Sequence, residues 1–191
     1  LLAVQGPKAL EAMQILTDFN LASLPFYAHT TTSFAGLENI LVATTGYTGS
    51  GGVEIYCRNN DVAQLWKAIF KAGEAFGVQP IGLAARDTLR LEMGYCLYGN
   101  EINDNSSPIA AGLGWVTRPK TGFVNAERIG EQKENGTTNK LVGFELIDRG
   151  IPRTGHDIVT ENGDIVGKVT SGTQSPSLNK AIGLGYVPVE N

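Results

Sequence analysis

Apolar residues in the first half of the chain follow two spacings, one typical of strands and one typical of helices. Short runs of apolar and β-branched residues, bounded by turn residues, predict strands at 2–5, 26–34 and 40–45. Apolar residues at helical spacing predict a short helix at 7–16, a long helix from about Asn60 to Gly77, and a helix at 83–92 that closes at Gly94.

A glycine-rich loop at 44–54 joins the strand at 40–45 to a following strand. Its sequence is Thr-Thr-Gly-Tyr-Thr-Gly-Ser-Gly-Gly-Val-Glu, and its four glycines permit backbone conformations and a close ligand approach that side chains forbid. Period-two alternation turns the Glu54 carboxylate away from Val53 and Ile55. The carboxylate then points either into a cleft or into water, and a solvent-facing Glu on a hairpin is the ordinary alternative.

The second half of the chain changes to short strands. Residues 95–102 are predicted to be extended, 112–116 to form a strand, and 119–139 to be a linker with at most a short helix near 126–132. Further strands are predicted at 141–147, 157–160, 165–170 and 181–187, with a type I′ hairpin turn at Asn162-Gly163.

These patterns predict an α+β protein with two domains. Residues 1–118 are expected to form part of a domain with an antiparallel sheet and flanking helices. Residues 119–139 connect it to a small all-β barrel or sandwich unit at 140–191, which we expect to be incomplete.

The composition narrows the classes of function. A net charge of −4 and a pI near 5.2, without clustered Lys or Arg, disfavour a nucleic-acid binder, and the apolar runs are too short to span a bilayer. Cys57 and Cys96 are far apart and outside any CxxC pattern, so neither a disulfide framework nor a metal site is indicated. We expect reduced cysteines and a cytoplasmic protein.

Catalysis by a nucleophile and a base has little support, because neither His29 nor His156 has a nearby Ser or Cys signature. The glycine loop also lacks the residues of a phosphate-binding loop or a dinucleotide fingerprint. What remains is one carboxylate on a strand, an arginine on a later helix, and aromatic rings at Tyr47, Tyr95 and Trp115. Such a set suits a flat heterocycle with adjacent N–H donors, since a carboxylate accepts two parallel hydrogen bonds.

The arginine of interest is Arg86, which lies one helical turn before Arg90. Both project from similar faces of the helix predicted at 83–92. The alternative interpretation is a solvated helix surface on which Asp87 and Glu92 partner the two guanidinium groups.

Several segments, in order from the first residue to the last, closely resemble the glycine cleavage system T-protein family. They are Leu-Ala-Val-Gln-Gly-Pro-Lys-Ala, Thr-Gly-Tyr-Thr-Gly followed by Gly-Val-Glu-Ile, Gly-Leu-Ala-Ala-Arg-Asp-Thr-Leu-Arg-Leu-Glu, Leu-Tyr-Gly-Asn-Glu-Ile, Arg-Gly-Ile-Pro-Arg and Val-Thr-Ser-Gly-Thr-Gln-Ser-Pro-Ser-Leu. The resemblance implies a tetrahydrofolate-binding region followed by a C-terminal β-barrel. It also implies an aminomethyltransferase that takes the aminomethyl group from the lipoyl arm of the H protein, passes its one-carbon unit to tetrahydrofolate and releases ammonia.

The same resemblance implies roles for individual residues. It makes Glu54 the pterin ligand and Arg86 a folate-site contact, and it places Tyr47 and Tyr95 near the same pocket. It implies no catalytic residue in this chain, because the family's catalytic Asp belongs to a segment upstream of the Gln-Gly-Pro motif. We therefore expect a fragment without the N-terminal part and the extreme C-terminus, which holds part of the folate pocket and is inactive alone.

The expected partners are the lipoylated H protein and tetrahydrofolate as co-substrate, with no metal, nucleic acid or membrane. Two alternatives stay open. One is another folate-dependent enzyme of the same family, a demethylase or a sarcosine-type dehydrogenase domain, with a different one-carbon donor. The other is a catalytically silent folate-binding module in which the glycine loop is only a turn.

Overall fold

Each half of the chain builds its own antiparallel sheet. The computed structural model describes residues 1–190 and divides into two compact units, Leu1–Arg86 and a second that starts at Asp87. Each unit holds one four-stranded antiparallel sheet with accompanying helices, which confirms the predicted α+β class. The proposed domain limits at 118 and 140 stay a prediction.

The sheet of the first unit has the strand order β1-β4-β3-β2. Its elements are β1 (Leu2–Gln5), α1 (Ala9–Gln14), β2 (His29–Phe34), β3 (Leu37–Ala43), β4 (Gly52–Tyr56) and α2 (Val62–Gly73), with 3₁₀ turns at Leu21–Ser23 and Glu74–Phe76. Helix α3 (Leu83–Glu92) begins at the end of this unit, and its bounds are those predicted.

One face of this sheet is apolar and covers the core of the first unit. Val4, Val42, Val53 and Ile55 are buried there with side chains of the two helices, among them Met13, Leu65 and Ile69. Strand side chains alternate between faces, so the residues between these positions project from the opposite face. The predicted orientation of Glu54, away from its aliphatic neighbours, is confirmed.

The ends of α2 follow local chemistry. The helix begins at Val62 with Asp61 at the N-cap position, two residues after the start predicted at about Asn60. After the 3₁₀ turn the helical segment ends at Gly77, whose φ of 75° lies in the left-handed region that glycine adopts without a steric penalty. The predicted end of the helix is confirmed.

The second unit contains a sheet with the order β5-β8-β7-β6. Its elements are α4 (Ala126–Asn135), β5 (Asn139–Glu145), β6 (Asp157–Val159), β7 (Ile165–Ser175) and β8 (Lys180–Pro188), with a 3₁₀ turn at Pro119–Thr121. Within residues 1–190 the outer strands β5 and β6 do not pair, so this sheet is open. Helix α4 confirms the helix predicted inside the linker segment and is longer than predicted.

Three local predictions in the second unit were wrong. Residues 95–97 have no regular structure, Tyr98 and Ile102 form only an isolated bridge, and residues 99–101 and 112–116 lie mostly in turns. Gly99 and Gly112 adopt φ values of 94° and 75°, and i→i+3 and i→i+4 hydrogen bonds replace strand pairing there. The hairpin turn is not type I′, since only Gly163 has a positive φ. The Gly163 amide donates to the Thr160 carbonyl at 2.9 Å, so the turn ends in a left-handed glycine.

Arg90 is a buried structural residue of the second unit, so the solvated-surface interpretation was wrong about its exposure, although Asp87 is one of its partners as that interpretation expected. Its guanidinium donates to the Glu101 carboxylate at 2.7 Å, to Asp87 at 2.9 Å, to Ser171 at 2.8 Å and to the Tyr95 carbonyl at 3.0 Å. Four acceptors around one buried cation satisfy the requirement that a charge taken from water be fully paired.

Glu101, the partner of Arg90, is equally buried. Burial alone raises the pKa of its carboxyl, but hydrogen bonds from Ser171, the Leu97 amide and Thr170, together with the charge of Arg90, outweigh burial and hold the pKa below its ordinary 4.5. A carboxyl with a lowered pKa in the folded state stabilises the fold at neutral pH, and this contribution is lost as the pH falls below about 4.5.

We predict that Glu101→Gln destabilises the full-length protein by about 3 to 5 kcal/mol at pH 7, because it leaves the buried Arg90 charge without its anion. The variant's stability also falls less steeply than the wild type's between pH 5 and 3, since one titrating group is gone. Urea denaturation across this pH range measures both effects.

The matched control is Glu145→Gln. Glu145 forms an exposed ion pair with Lys180 at 2.5 Å, so its loss costs less than about 1 kcal/mol. Equal losses of stability in the two variants would contradict the structural role assigned to Glu101.

Candidate functional site

Glu54 lies in the middle of β4, on the face of the first sheet opposite the core. Its register partners are Ala3 on β1 and Ala43 on β3, so small side chains flank the carboxylate on both sides. Glu54 is half-buried. A carboxylate bordered by two alanines leaves room for a flat group to approach its oxygens.

The hydroxyl of Thr45 holds one oxygen of this carboxylate. Thr45 Oγ1 donates a short hydrogen bond to Glu54 Oε2, and the four ion pairs found among residues 1–190 do not include Glu54. The carboxylate therefore has one oxygen fixed by the protein and retains acceptor capacity for two ligand donors, at Oε1 and at the second lone pair of Oε2.

Gln5 fixes the loop that carries Thr45. Its side-chain Nε2 donates to the backbone carbonyls of Thr45 and Val53, at 3.2 Å each, and its Oε1 accepts from the Thr48 hydroxyl at 3.3 Å. One amide thus joins the strand β1, the start of the glycine loop and the start of β4.

Two glycines leave room for the hydrogen bonds of the Gln5 amide. A Cβ at Gly46 would lie 1.9 Å from Gln5 Oε1, and a Cβ at Gly52 would lie 2.3 Å from the Val4 carbonyl oxygen, both far inside van der Waals contact. Gly52 also has a φ of 156°. The glycine-rich composition of the loop therefore has a packing cause, because the backbone must pass directly over the Gln5 amide and β1.

Arg86 and Tyr47 meet in the first unit. The guanidinium carbon of Arg86, near the start of α3, lies 4.9 Å from the centroid of the Tyr47 ring, which belongs to the glycine loop. This is a cation–π distance. Arg86 is exposed and Tyr47 half-buried, so the pair presents a cation and an aromatic surface at the loop that leads to Glu54.

Tyr95 lies in the second unit. Its backbone N–H donates to the Arg90 carbonyl at 2.9 Å and its carbonyl accepts from the Arg90 guanidinium, so its main chain is fixed by the buried network, and its side chain is partly exposed. Trp115 is 71% exposed. The ligand role assigned to Tyr95 stays a prediction.

Reasoning from the sequence missed Gln5 and Thr45. The signal was present in part, because Gln5 occupies the same alternating face as Ala3 and Thr45 the same face as Ala43. What the sequence could not supply is that a side chain at position 5 reaches carbonyls at positions 45 and 53.

Three further observations on the described residues concern metal ligands, histidines and membrane-spanning helices. Over residues 1–190 there is no group of three or more His, Cys, Asp or Glu side chains placed to hold a metal ion. His29 and His156 are exposed, and the His156 Nδ1 accepts from the Arg153 amide at 3.3 Å. No helix in this range is sufficiently long and apolar to cross a bilayer.

The carboxylate on the sheet and the glycine loop belong to an α+β protein, and family models match both parts of the chain. Residues 1–121 match the GCVT N-terminal domain, and residues 139–191 match the glycine cleavage T-protein C-terminal barrel domain. The chain therefore belongs to the glycine cleavage T-protein family.

Similar proteins with curated names are aminomethyltransferases. An aminomethyltransferase from Flavobacterium psychrophilum is 57% identical over 98% of this chain and 52% of its own length, and one from Bacteroides thetaiotaomicron is 56% identical over 99% of this chain and 53% of its own length. The chain thus spans about half the length of the curated relatives it matches.

A solved structure shares the fold. The crystal structure of glycine cleavage system aminomethyltransferase T from Bartonella henselae superposes with a TM-score of 0.80 at 32% identity, over 88% of this chain and 46% of that chain.

We predict that Gly52→Ala destabilises the protein by about 2 to 4 kcal/mol, because the new Cβ overlaps the Val4 carbonyl in a conformation that side chains disfavour. The matched control is Gly51→Ala, where a Cβ meets nothing within 4 Å, and whose effect stays within about 1 kcal/mol. Thermal and chemical denaturation of both variants measure the difference. A Gly52→Ala variant as stable as Gly51→Ala would contradict the packing argument.

Proposed function

We propose that this chain supplies the pterin-binding part of a tetrahydrofolate-dependent aminomethyltransferase. In the full-length protein the reaction takes the aminomethyl group from the lipoyl arm of the H protein, transfers the one-carbon unit to tetrahydrofolate and releases ammonia. Family membership supports the reaction, and the geometry around Glu54 supports the binding role of this chain.

The observation that carries the proposal is the Glu54 carboxylate on the non-core face of the sheet. The pterin ring presents a 2-amino group and a neighbouring ring N–H, which are adjacent donors in one plane. A carboxylate is the complementary acceptor, and charge-assisted pairs of this kind are stronger than neutral ones. The alanines beside Glu54 and the acceptor capacity of Oε1 fit such a group.

The remaining predicted residues are proposed as further ligand contacts. Tyr47 offers an aromatic face and Arg86 a cation, in the cation–π arrangement at 4.9 Å. The guanidinium suits an anionic or electron-rich part of the folate. Tyr95 is proposed as a folate contact on the family resemblance alone. The domain limits 1–118, 119–139 and 140–191, which follow the change in composition along the chain, are proposed as well.

Tetrahydrofolate supplies the acceptor for the one-carbon unit, and the residues of this chain bind and orient it. Glu54 holds the edge of the pterin, which fixes how the opposite part of the ring faces the incoming carbon. Orientation of this kind converts a bimolecular encounter into a step between held reactants. The lipoylated H protein is the proposed donor and partner, and the cytoplasm the proposed location.

We predict that Glu54→Ala in the full-length protein weakens tetrahydrofolate binding by about 1 to 3 kcal/mol, since the buried donor pair of the pterin loses its acceptor. Isothermal titration measures the affinity. The control is Glu38→Ala on β3 of the same sheet, whose carboxylate accepts from Ser33 at the surface and whose loss leaves the affinity unchanged.

An unchanged affinity in Glu54→Ala would refute the pterin role and favour a glycine loop that is only a turn. A turnover assay separates the reaction types: ammonia release from aminomethylated H protein supports the proposal, whereas activity on a methyl donor without ammonia release supports a demethylase-type enzyme.

We predict that Arg86→Met lowers tetrahydrofolate affinity by about 1 kcal/mol, because it removes the cation but keeps a long flexible side chain. Arg128→Met on α4, also an exposed helical arginine, is the control and leaves the affinity unchanged. Equal affinities for the two variants would remove Arg86 from the proposed ligand contacts.

A further inference from the structure

The Glu54 carboxylate is held by a two-step hydrogen-bond relay that starts at Gln5 on the neighbouring strand β1. Gln5 donates to the Thr45 carbonyl at 3.2 Å, and the Thr45 hydroxyl donates to Glu54 Oε2. The three side chains project from one face, since Gln5 lies two residues after Ala3, the register partner of Glu54, and Thr45 two residues after Ala43.

We propose that Thr45 and Gln5 are positioning residues for ligand recognition by Glu54. The inference rests on the proposed pterin role of Glu54. Thr45 occupies one carboxylate oxygen and thereby fixes the rotamer of Glu54, and Gln5 fixes the backbone from which the Thr45 hydroxyl projects.

The hydrogen bonds from Gln5 and Thr45 fix the orientation of the Glu54 carboxylate as well as stabilising the loop. A glutamate side chain has three rotatable torsions, and an unrestrained carboxylate samples several orientations whose restriction on ligand binding costs free energy. A hydroxyl that is already bonded to Oε2 removes much of this freedom before the ligand arrives. Such preorganisation is the usual requirement for a bidentate site to bind tightly.

Both polar atoms of the Gln5 side chain already form hydrogen bonds within the protein. Both hydrogens of its Nε2 go to backbone carbonyls, of Thr45 and Val53, and its Oε1 accepts from Thr48. Gly46 lies so close to Oε1 that any side chain there would displace the amide. The amide is therefore held in one orientation, and its hydrogen bond to the Thr45 carbonyl fixes the backbone of Thr45.

The test compares Thr45→Val with Thr45→Ser in the full-length protein. Valine keeps the β-branched shape and removes the hydroxyl, whereas serine keeps the hydroxyl. We expect Thr45→Val to lower tetrahydrofolate affinity about tenfold and Thr45→Ser to stay within about threefold of wild type. Gln5→Ala lowers the affinity about threefold to tenfold.

A second ligand distinguishes positioning from general damage to the fold. A tetrahydrofolate analogue without the 2-amino group lacks one of the two donors that the held carboxylate receives. If Thr45 aims Glu54, Thr45→Val weakens binding of tetrahydrofolate far more than binding of the analogue. The control Thr31→Val, on β2 of the same sheet, changes neither affinity.

The outcomes separate the two levels of the proposal. If Glu54→Ala does not weaken tetrahydrofolate binding, the proposed function fails. If Glu54→Ala weakens binding but Thr45→Val does not, the positioning inference alone is overturned. Equal losses for tetrahydrofolate and the analogue in Thr45→Val, or no rescue by Thr45→Ser, also overturn it.

Discussion

The side-chain amide of Gln5 is the constraint on which the candidate site depends. It belongs to β1 and bonds to the carbonyls of Thr45, two residues after the end of β3, and of Val53 in β4, so three chain segments meet at one polar group. These carbonyls lie where the regular ladder between β3 and β4 gives way to the loop, and they need a donor from elsewhere. The amide provides it, and glycines at positions 46 and 52 give it room.

In the second unit a buried ion pair, Arg90 with Glu101, joins several chain segments in a comparable way. Arg90 and Glu101 are both buried, and their hydrogen bonds collect a helix, two loops and the strand β7 around one ion pair. In a low-dielectric interior such a network is stable only when each member is satisfied, and here each is. In both units, therefore, a polar group with several partners joins segments that hydrophobic burial alone would leave free to slide.

The sequence predicted those structural features that depend only on residues close together in the chain. The bounds of α3, the end of α2 at Gly77 and the orientation of Glu54 follow from periodicity and from the conformational freedom of glycine, and all three are confirmed. The extended chain predicted at 95–102 and the strand predicted at 112–116 are not formed, because a short apolar run with glycines has no period that separates a strand from a series of turns.

What the sequence could not predict depends on partners far along the chain. The burial of Arg90 requires Glu101, 11 positions away, and Ser171, 81 positions away. The Gln5 amide reaches positions 40 and 48 residues further on. The identities of Glu54 and Arg86 as candidate residues came from local pattern and family resemblance, whereas the relay that holds Glu54 required the fold.

The central claim is that Glu54 accepts the two adjacent donors of a pterin ring. A crystal structure of the full-length protein with tetrahydrofolate tests it most directly, through the distances from the Glu54 carboxylate oxygens to the pterin 2-amino nitrogen and the adjacent ring nitrogen. The account predicts both distances at about 2.7 to 3.0 Å, with the Thr45 hydrogen bond retained. A pterin bound elsewhere, with Glu54 contacting only Thr45 and water, would contradict it.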